Sequence, residues 1–194
     1  MTVKDKSPKK ITAKPFVKWA GGKGALVELL SAHLPVDFYD KKKVTYIEPF
    51  VGGGAMLFYM LTHFSNIHRV IINDLNEDLI LCYQLIKNNP QLLIEHLKKI
   101  ENEYFQLQTM DEKSIYYYHM RDKYNSIIPK VEERAACFIF LNKTCFNGLY
   151  RVNTNGKFNV PFGKNQKPNI CDEVLIMIDH KLLKKVDIYT GNYS

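Results

Sequence analysis

The stretch that decides the fold is Val44-Thr45-Tyr46-Ile47-Glu48-Pro49-Phe50-Val51-Gly52-Gly53-Gly54-Ala55-Met56-Leu57-Phe58. A short apolar, β-prone run comes first, Pro49 breaks it, three glycines follow, and a long apolar run begins after Gly54. This order of strand, tight turn and helix is typical of a nucleotide-binding βα unit. Glycines at the turn let a ligand lie against the backbone, and the new helix presents free N–H groups there. The stretch therefore predicts an α/β fold with a binding site at the turn.

The chemical nature of the ligand follows from what surrounds this turn. A dinucleotide fingerprint requires a third glycine three residues after Gly54, where this chain has Leu57, and no P-loop is present. A second apolar run ends at Asp74, which could accept hydrogen bonds from both hydroxyls of a ribose. A glycine turn with a ribose carboxylate but no phosphate-binding motif suits an adenosyl ligand such as S-adenosylmethionine. An ordinary glycine turn, with Asp74 capping the next helix, fits these residues equally well.

Composition limits the class of protein. The 194 residues fit one domain, or a domain with an insert, and the net charge of +7 favours a polyanionic partner. The four cysteines show no C-x-x-C spacing, so we expect reduced thiols in a cytoplasmic protein. No apolar run approaches the roughly 20 residues of a membrane span, and the basic N-terminus lacks the hydrophobic region of a signal peptide. The six histidines show no metal-ligand pattern, so no metal is expected.

Hydrophobic periodicity and capping residues predict most of the remaining elements. Ile115, Tyr118 and Asp122 recur at helical spacing, so the run of tyrosines 116–118 is assigned to helix packing rather than to base stacking. The residues after the buried helix, 142–144, are expected to lead to the surface. The predicted elements are helices at 25–34, 77–88, from Pro90 onward, at 135–141 and at 172–185, and a strand at 186–190.

A second informative stretch is the polar and basic run at 145–164. Asn155-Gly156 lies between two β-prone segments, which predicts a hairpin. Arg151, Lys157 and Lys164 alternate there with aromatic residues and asparagines. A two-stranded ribbon fits the major groove of DNA, where Arg and Asn side chains recognise guanine and adenine edges. The alternative is a surface hairpin with a solvated face.

Four motifs together resemble one known family. Lys18-Trp19-Ala20-Gly21-Gly22-Lys23, Glu48 to Gly54, Asn73-Asp74-Leu75-Asn76 and the 145–164 ribbon match, in order, Dam-type (GATC-family) DNA adenine-N6 methyltransferases. The resemblance implies a partial Rossmann-like, doubly wound methyltransferase sheet, with an inserted helical and β-hairpin target-recognition region. It places strand 44–47 at the centre of that sheet.

The resemblance also implies a role for individual residues. S-adenosylmethionine would be bound by Trp19, Lys23, Glu48, Pro49, Phe50, Gly52, Gly53, Gly54 and Asp74. Double-stranded DNA would be contacted by Lys18, Phe146, Asn147, Leu149 and Arg151. In that arrangement Phe146 and Asn147 enter the duplex, Leu149 and Arg151 face bases, and Lys18 recognises the first base pair of a GATC site.

The family's catalytic D-P-P-Y motif does not occur in this sequence, whose eight prolines are never adjacent. No residue is therefore assigned a catalytic role. We expect the N-terminal portion of an enzyme, inactive alone, that needs a second chain or segment for its missing half. Without downstream neighbours, strand 44–47 would become an apolar edge, so poor solubility is expected in isolation.

This interpretation divides the chain into a flexible basic arm (1–14), a cofactor-binding half (15–90), a target-recognition region (91–168) and a truncated return to the core (169–194). One alternative is a non-catalytic DNA-binding module derived from such an enzyme. Another is an unrelated adenosine- or dinucleotide-binding enzyme, which the missing third glycine and the hairpin disfavour.

Overall fold

The structure is a computed structural model that describes residues 12–128 and 130–193, apart from the side chain of Lys23. The predicted basic arm lies outside the described residues except for Thr12, Ala13 and Lys14. The described part of the chain is a three-stranded parallel sheet with helices packed around it, which confirms the predicted partial Rossmann-like α/β class.

The sheet has the strand order β1 (Val44–Glu48), β2 (Ile67–Asp74) and β3 (Val186–Thr190). Ile71 of β2 pairs with Ile47 on one side and with Asp187 on the other. Within the described residues β1 therefore has a single neighbour, and Ile47 is 60% exposed. The expected apolar edge at this strand is confirmed.

The helices begin where side chains can satisfy their free N–H groups. Asn76 and Asp172 each accept a hydrogen bond from the backbone three residues on, and Thr109 forms a capping box with Glu112. The seven α-helices are α1 (Val27–Ser31), α2 (Ala55–His63), α3 (Glu77–Asn88), α4 (Pro90–Gln106), α5 (Met110–Tyr124), α6 (Val131–Thr144) and α7 (Glu173–Leu183) within the described residues. Short 3-10 helices cover Lys23–Leu26, Val36–Phe38 and Phe146–Gly148.

The predicted boundaries agree with these elements to different degrees. The helix at 77–88, the start at Pro90 and the strand at 186–190 are confirmed. The helix expected at 25–34 is shorter, because its first turn is a 3-10 helix and α1 ends at Ser31. The helix expected to reach Lys185 ends at Leu183.

Helix α6 lies at the centre of the helical part, in contact with α3, α4 and α5. Its residues 135–141 are buried, as predicted. The expectation that 142–144 lead to the surface is wrong, because Asn142 is 3% exposed and Thr144 is fully buried. The chain after the helix folds back over it, and the Gly163 amide donates to the Thr144 carbonyl oxygen at 2.8 Å.

The tyrosine run does belong to a packed helix, but its buried face differs from the one that the spacing suggested. Tyr117 is fully buried, and its hydroxyl donates to the Val160 carbonyl oxygen at 2.8 Å. Ile115 is 70% exposed, and Tyr118 lies partly in solvent. The helix therefore presents Tyr117, Met120 and Tyr124 to the core.

Asp179 of α7 is a buried carboxylic acid in the core. The residue is 0% exposed, and neither carboxylate oxygen has a hydrogen-bond partner among the described residues. Burial raises the pKa of Asp179 to about 8, and the charge of Asp172 adds to this shift. The ammonium groups of Lys14 and Lys143 and the Lys14 backbone amide, which lies nearby but outside hydrogen-bonding geometry, oppose it. Below about pH 8 the neutral acid is therefore the favoured form of Asp179 in the folded chain.

Asp179→Asn is expected to alter how stability depends on pH. Because the folded-state pKa lies above the ordinary value of 3.8, the wild type holds its extra stability at low pH and loses it as the pH rises through about 8. Relative to wild type, the variant's free energy of unfolding should rise by about 4 kcal/mol between about pH 5 and pH 9, which is roughly three pH units at about 1.36 kcal/mol each. Urea denaturation at both pH values measures this difference, and a pH-independent difference would contradict the assignment.

Candidate cofactor pocket and nucleic-acid interface

A cavity of about 500 Å³ lies where β1 and β2 end and the glycine turn leads into α2. The carboxyl ends of parallel strands are where open α/β sheets bind their ligands. Three separate parts of the chain meet at this cavity: residues 15–24, residues 48–56 and Asp74. The predicted cofactor-binding residues that line it are Trp19, Glu48, Phe50, Gly52, Gly53, Gly54 and Asp74.

Two residues predicted to bind the cofactor have a different place. Pro49 does not line the cavity, and its carbonyl oxygen accepts a hydrogen bond from Asn73 Nδ2 at 3.2 Å, which ties the turn to β2. The Lys23 side chain lies outside the described residues, while its backbone begins the first 3-10 helix.

The glycine turn is held from two sides through Gly52. Its amide donates to Asp74 Oδ2 at 2.9 Å, and its carbonyl oxygen accepts from the buried Tyr83 hydroxyl at 2.9 Å. Gly54 has a φ of +80°, and a Cβ there would lie 2.4 Å from Tyr83 Oη. Glycine is required at this position both by the left-handed backbone and by the close approach of tyrosine.

Asp74 links the turn to the start of α3. Its Oδ1 accepts from the Asn76 amide at 3.0 Å, while Asn76 itself caps the helix by accepting from the Leu79 amide. Capping α3 is therefore the task of Asn76 and not of Asp74. An ionised carboxylate can accept about four hydrogen bonds, so Asp74 retains acceptor capacity at the cavity.

Glu48 brings a second carboxylate to the cavity. It is 9% exposed and accepts a hydrogen bond from the Tyr46 hydroxyl at 2.8 Å. Burial, together with the Glu48 charge, raises the pKa of Tyr46 above its ordinary range. The tyrosine therefore stays protonated and orients this carboxylate.

Trp19 separates the cavity from the 145–164 ribbon. A Cβ on Gly52 would lie 2.8 Å from Trp19 Cδ1, so the indole packs directly on the glycine turn. On the ribbon side the ring stacks on Tyr150, with centroids 5.4 Å apart and planes inclined by 22°. One side chain thus contacts both candidate binding surfaces.

The predicted hairpin is present as a ribbon held by isolated bridges rather than by continuous strands. Cys145 pairs with Phe162 and Val152 with Phe158. The Gly156 amide donates to the Asn153 carbonyl oxygen at 2.9 Å, and Gly156 has a φ of +72°. The turn is therefore centred one residue earlier than an Asn155-Gly156 turn, with glycine in the left-handed position that follows it.

Four of the five residues predicted to bind DNA lie together near the start of the ribbon. Phe146 is 51% exposed, Asn147 has a φ of +55°, and Leu149 is partly exposed. The Lys18 side chain lies against Gly148, since a Cβ there would be 2.6 Å from Lys18 Cβ. Arg151 is further along, where its Nε donates to Asn159 Oδ1 at 2.7 Å.

Sequence reasoning missed three residues that support this site. Tyr83, Asn142 and Tyr150 hold the glycine turn, the Lys18 backbone and the Trp19 ring respectively. In the sequence, each of these residues was assigned only to a helix or to the ribbon. Hydrophobic periodicity describes one segment at a time, so it does not predict contacts between distant segments. For Asn142 the one available signal was its position directly after the apolar run 135–141, where a polar residue is unusual.

Comparison with known proteins identifies the family. The model for D12 class N6 adenine-specific DNA methyltransferases matches residues 19–194. The chain belongs to this family. The resemblance found in the sequence is thereby confirmed.

Several relatives are similar along most of the chain. The type II methyltransferase M.MjaIII of Methanocaldococcus jannaschii is 47% identical over 183 residues, which is 93% of this chain and 63% of that protein. Type II methyltransferase M1.LlaDCHI of Lactococcus lactis is 37% identical over 95% of this chain and 57% of its own length. A DNA adenine methylase of Haemophilus influenzae is 37% identical over 89% of this chain and 54% of its own length. The chain thus spans little more than half of the relatives that it matches.

The described residues contain neither a membrane-spanning helix nor a cluster of metal ligands. No helix within residues 12–128 or 130–193 combines the length and apolar character that crossing a membrane requires. In the same part of the chain, no three His, Cys, Asp or Glu side chains form a group that could hold a metal ion.

Gly54→Ala is expected to lower the free energy of unfolding by about 2–4 kcal/mol, because a left-handed backbone and a steric clash both oppose the new methyl group. Gly156→Ala is the matched control, because Gly156 also has a positive φ but no atom within 4 Å of its Cβ position. That control should cost only about 1–2 kcal/mol. Tyr83→Phe should reduce the cost of Gly54→Ala in the double variant. If urea denaturation shows that the two alanine variants lose the same free energy of unfolding, this account of the turn is contradicted.

Proposed function

We propose that this chain carries the S-adenosylmethionine pocket and the target-recognition ribbon of a site-specific DNA adenine-N6 methyltransferase that acts on GATC in duplex DNA. One observation carries the proposal. The cavity at the ends of β1 and β2 shares Trp19 with an exposed basic ribbon, so a methyl donor and a duplex would lie side by side.

The lining of the cavity suits an adenosyl group. Asp74 offers acceptors for ribose hydroxyls, the glycine turn allows close approach to backbone, and Trp19 and Phe50 offer aromatic surfaces. The volume of about 500 Å³ is that of a cofactor site. Lys23 completes the proposed set by its place in the motif at 18–23.

The ribbon suits duplex DNA through its charge and its shape. Lys18, Arg151, Lys157 and Lys164 are exposed, and the net charge of the chain is +7. Phe146 is half exposed beside them, as a side chain that inserts between base pairs must be. In this proposal Asn147 accompanies Phe146, Leu149 and Arg151 face bases, and Lys18 recognises the first base pair.

The reaction would replace one proton on adenine N6 by a methyl group, with the proton released to water and S-adenosylhomocysteine left as the second product. When bound, S-adenosylmethionine would supply that methyl group as its carbon–sulfur bond breaks. The chain's own residues would bind the donor at the glycine turn and hold the duplex on the ribbon, from which the target base must leave the stack.

The residues that would hold the target amine are not in this sequence, which contains no D-P-P-Y motif. We propose that a further segment or a second chain supplies them, and that it pairs with β1, which has a strand on one side only within the described residues and exposes Ile47. In this proposal residues 15–90 bind the donor, 91–168 recognise DNA and 169–194 return to the sheet. The protein would act in the cytoplasm, on chromosomal or foreign DNA.

A second candidate is a DNA-binding module that has lost catalysis, for which the exposed basic ribbon alone would suffice. The two candidates differ in what they predict for the neighbouring DNA. The reading frame, or an adjacent gene, continues into a D-P-P-Y segment only if the chain is part of an enzyme. Methyl transfer to a GATC duplex by this chain alone would exclude the second candidate, and it would also contradict the proposal that another segment supplies the residues that hold the target amine.

Calorimetry with S-adenosylhomocysteine tests the proposed pocket. The chain should bind it with measurable heat, and Asp74→Asn should weaken binding at least tenfold, or about 1.4 kcal/mol, because the amide offers one acceptor oxygen instead of two. Asp187→Asn is the matched control, since Asp187 lies on β3 of the same sheet, outside the cavity, and pairs with Arg69. This variant should bind like wild type.

The outcomes of that titration separate the possibilities. A folded chain that gives no heat with S-adenosylhomocysteine overturns the proposed pocket. Equal weakening by Asp74→Asn and Asp187→Asn would remove the specific role of Asp74.

A further inference from the structure

Asn142 is a buried polar residue near the end of α6, and its side chain bonds to backbone atoms of two other segments. Its Oδ1 accepts from the Lys18 amide at 2.8 Å. Its Nδ2 donates to the Lys18 carbonyl oxygen at 2.8 Å and to the Gly148 carbonyl oxygen at 3.0 Å. The amide therefore joins two segments that are 130 residues apart in the chain.

The contact between those two segments is close. Gly148 has a φ of +65°, and a Cβ at this position would lie 2.6 Å from both Cβ and Cδ of Lys18. The aliphatic part of the Lys18 side chain thus rests on the Gly148 backbone, while Asn142 holds the Lys18 main chain on both sides. Phe146 and Asn147 directly precede Gly148, so the same amide also fixes the loop that they form.

The three contacts require one acceptor and two donors on a planar group, which is the inventory of a primary amide. Among the common side chains only asparagine and glutamine have this hydrogen-bonding inventory, and glutamine is longer by one methylene group. Aspartate would offer acceptors only, and it would leave the Lys18 and Gly148 carbonyl oxygens without their donor. Unpaired buried polar groups cost about 1–3 kcal/mol each, so the contact strongly favours asparagine.

We propose that Asn142 is a positioning residue that fixes Lys18 relative to the recognition loop at 146–148 and thereby sets how well the first base pair is discriminated. This inference rests on the proposed function. A lysine has a long flexible side chain, so its reach is defined only if its main chain and its first carbons are held. Correct hydrogen bonding to a base edge is worth about 1–3 kcal/mol against the wrong base, and that difference requires precise placement.

Binding of the 194-residue chain to two duplexes tests the inference. One duplex contains GATC and the other differs only in the first base pair, and both are measured by fluorescence anisotropy at one salt concentration. Wild type should prefer GATC about tenfold or more, as one base contact allows. Asn142→Asp should bring the ratio of the two dissociation constants close to one, as should Lys18→Ala.

A double variant separates positioning from general damage. If Asn142 acts through Lys18, the ratio for Lys18→Ala with Asn142→Asp should equal that for Lys18→Ala alone. Asn66→Asp is the matched control, since Asn66 Nδ2 donates to the Phe38 and Lys41 carbonyl oxygens at 2.8 and 3.3 Å, away from the ribbon. It loses the same two donors and should keep the wild-type ratio.

Each result of this experiment decides something. Discrimination that survives Asn142→Asp but is lost in Lys18→Ala overturns the inference and leaves the proposed function intact. A folded wild type that binds neither duplex overturns both. If Asn142→Asp does not fold, Gly148→Ala takes its place, because it leaves Asn142 unchanged and displaces the Lys18 side chain. A folded Gly148→Ala with the wild-type ratio would also overturn the inference.

Discussion

The fixed backbone of the glycine turn is the constraint on which the rest of the site depends. Gly52 donates to Asp74 and accepts from Tyr83, so β2 and α3 together determine where the turn lies. Trp19 can pack on this turn only because Gly52 has no side chain. Because Trp19 also stacks on Tyr150, the position of the turn determines where the ribbon packs.

Helix α6 provides the second fixed reference. An ion pair between Arg134 and Asp78 ties it to α3, with Nη2 and Oδ2 2.9 Å apart, and the Tyr124 hydroxyl of α5 also bonds to Asp78. At its other end, Asn142 holds the Lys18 backbone and the Gly148 carbonyl oxygen. Because α3 follows Asp74 and α6 precedes the ribbon, one packed pair of helices sets the geometry of both candidate surfaces.

The sequence predicted the parts of this arrangement that depend on local pattern. Strand, turn and helix around residues 44–58 follow from apolar runs and glycines, and the start of α3 follows from the capping residue Asn76. The residue pattern within a single segment did not predict which side chains are buried where distant segments pack together. Asn142 was expected to lead to the surface because polar residues at helix ends usually do, and only the folded ribbon reveals that it is buried. Likewise, the spacing of Ile115 and Tyr118 identified a helix but not its buried face, which the position of Val160 decides.

The claim that the two surfaces share Trp19 can be tested through the emission of this residue, which is the single tryptophan of the chain. S-adenosylhomocysteine and a GATC duplex are titrated separately, and each is then titrated in the presence of the other. The account predicts that both ligands change the emission, and that each alters the affinity for the other by the same factor, as thermodynamic linkage requires. The contradicting result requires first that calorimetry shows both ligands to bind. If only one of them then changes the Trp19 emission, and neither ligand changes the affinity for the other, the two surfaces do not share this residue.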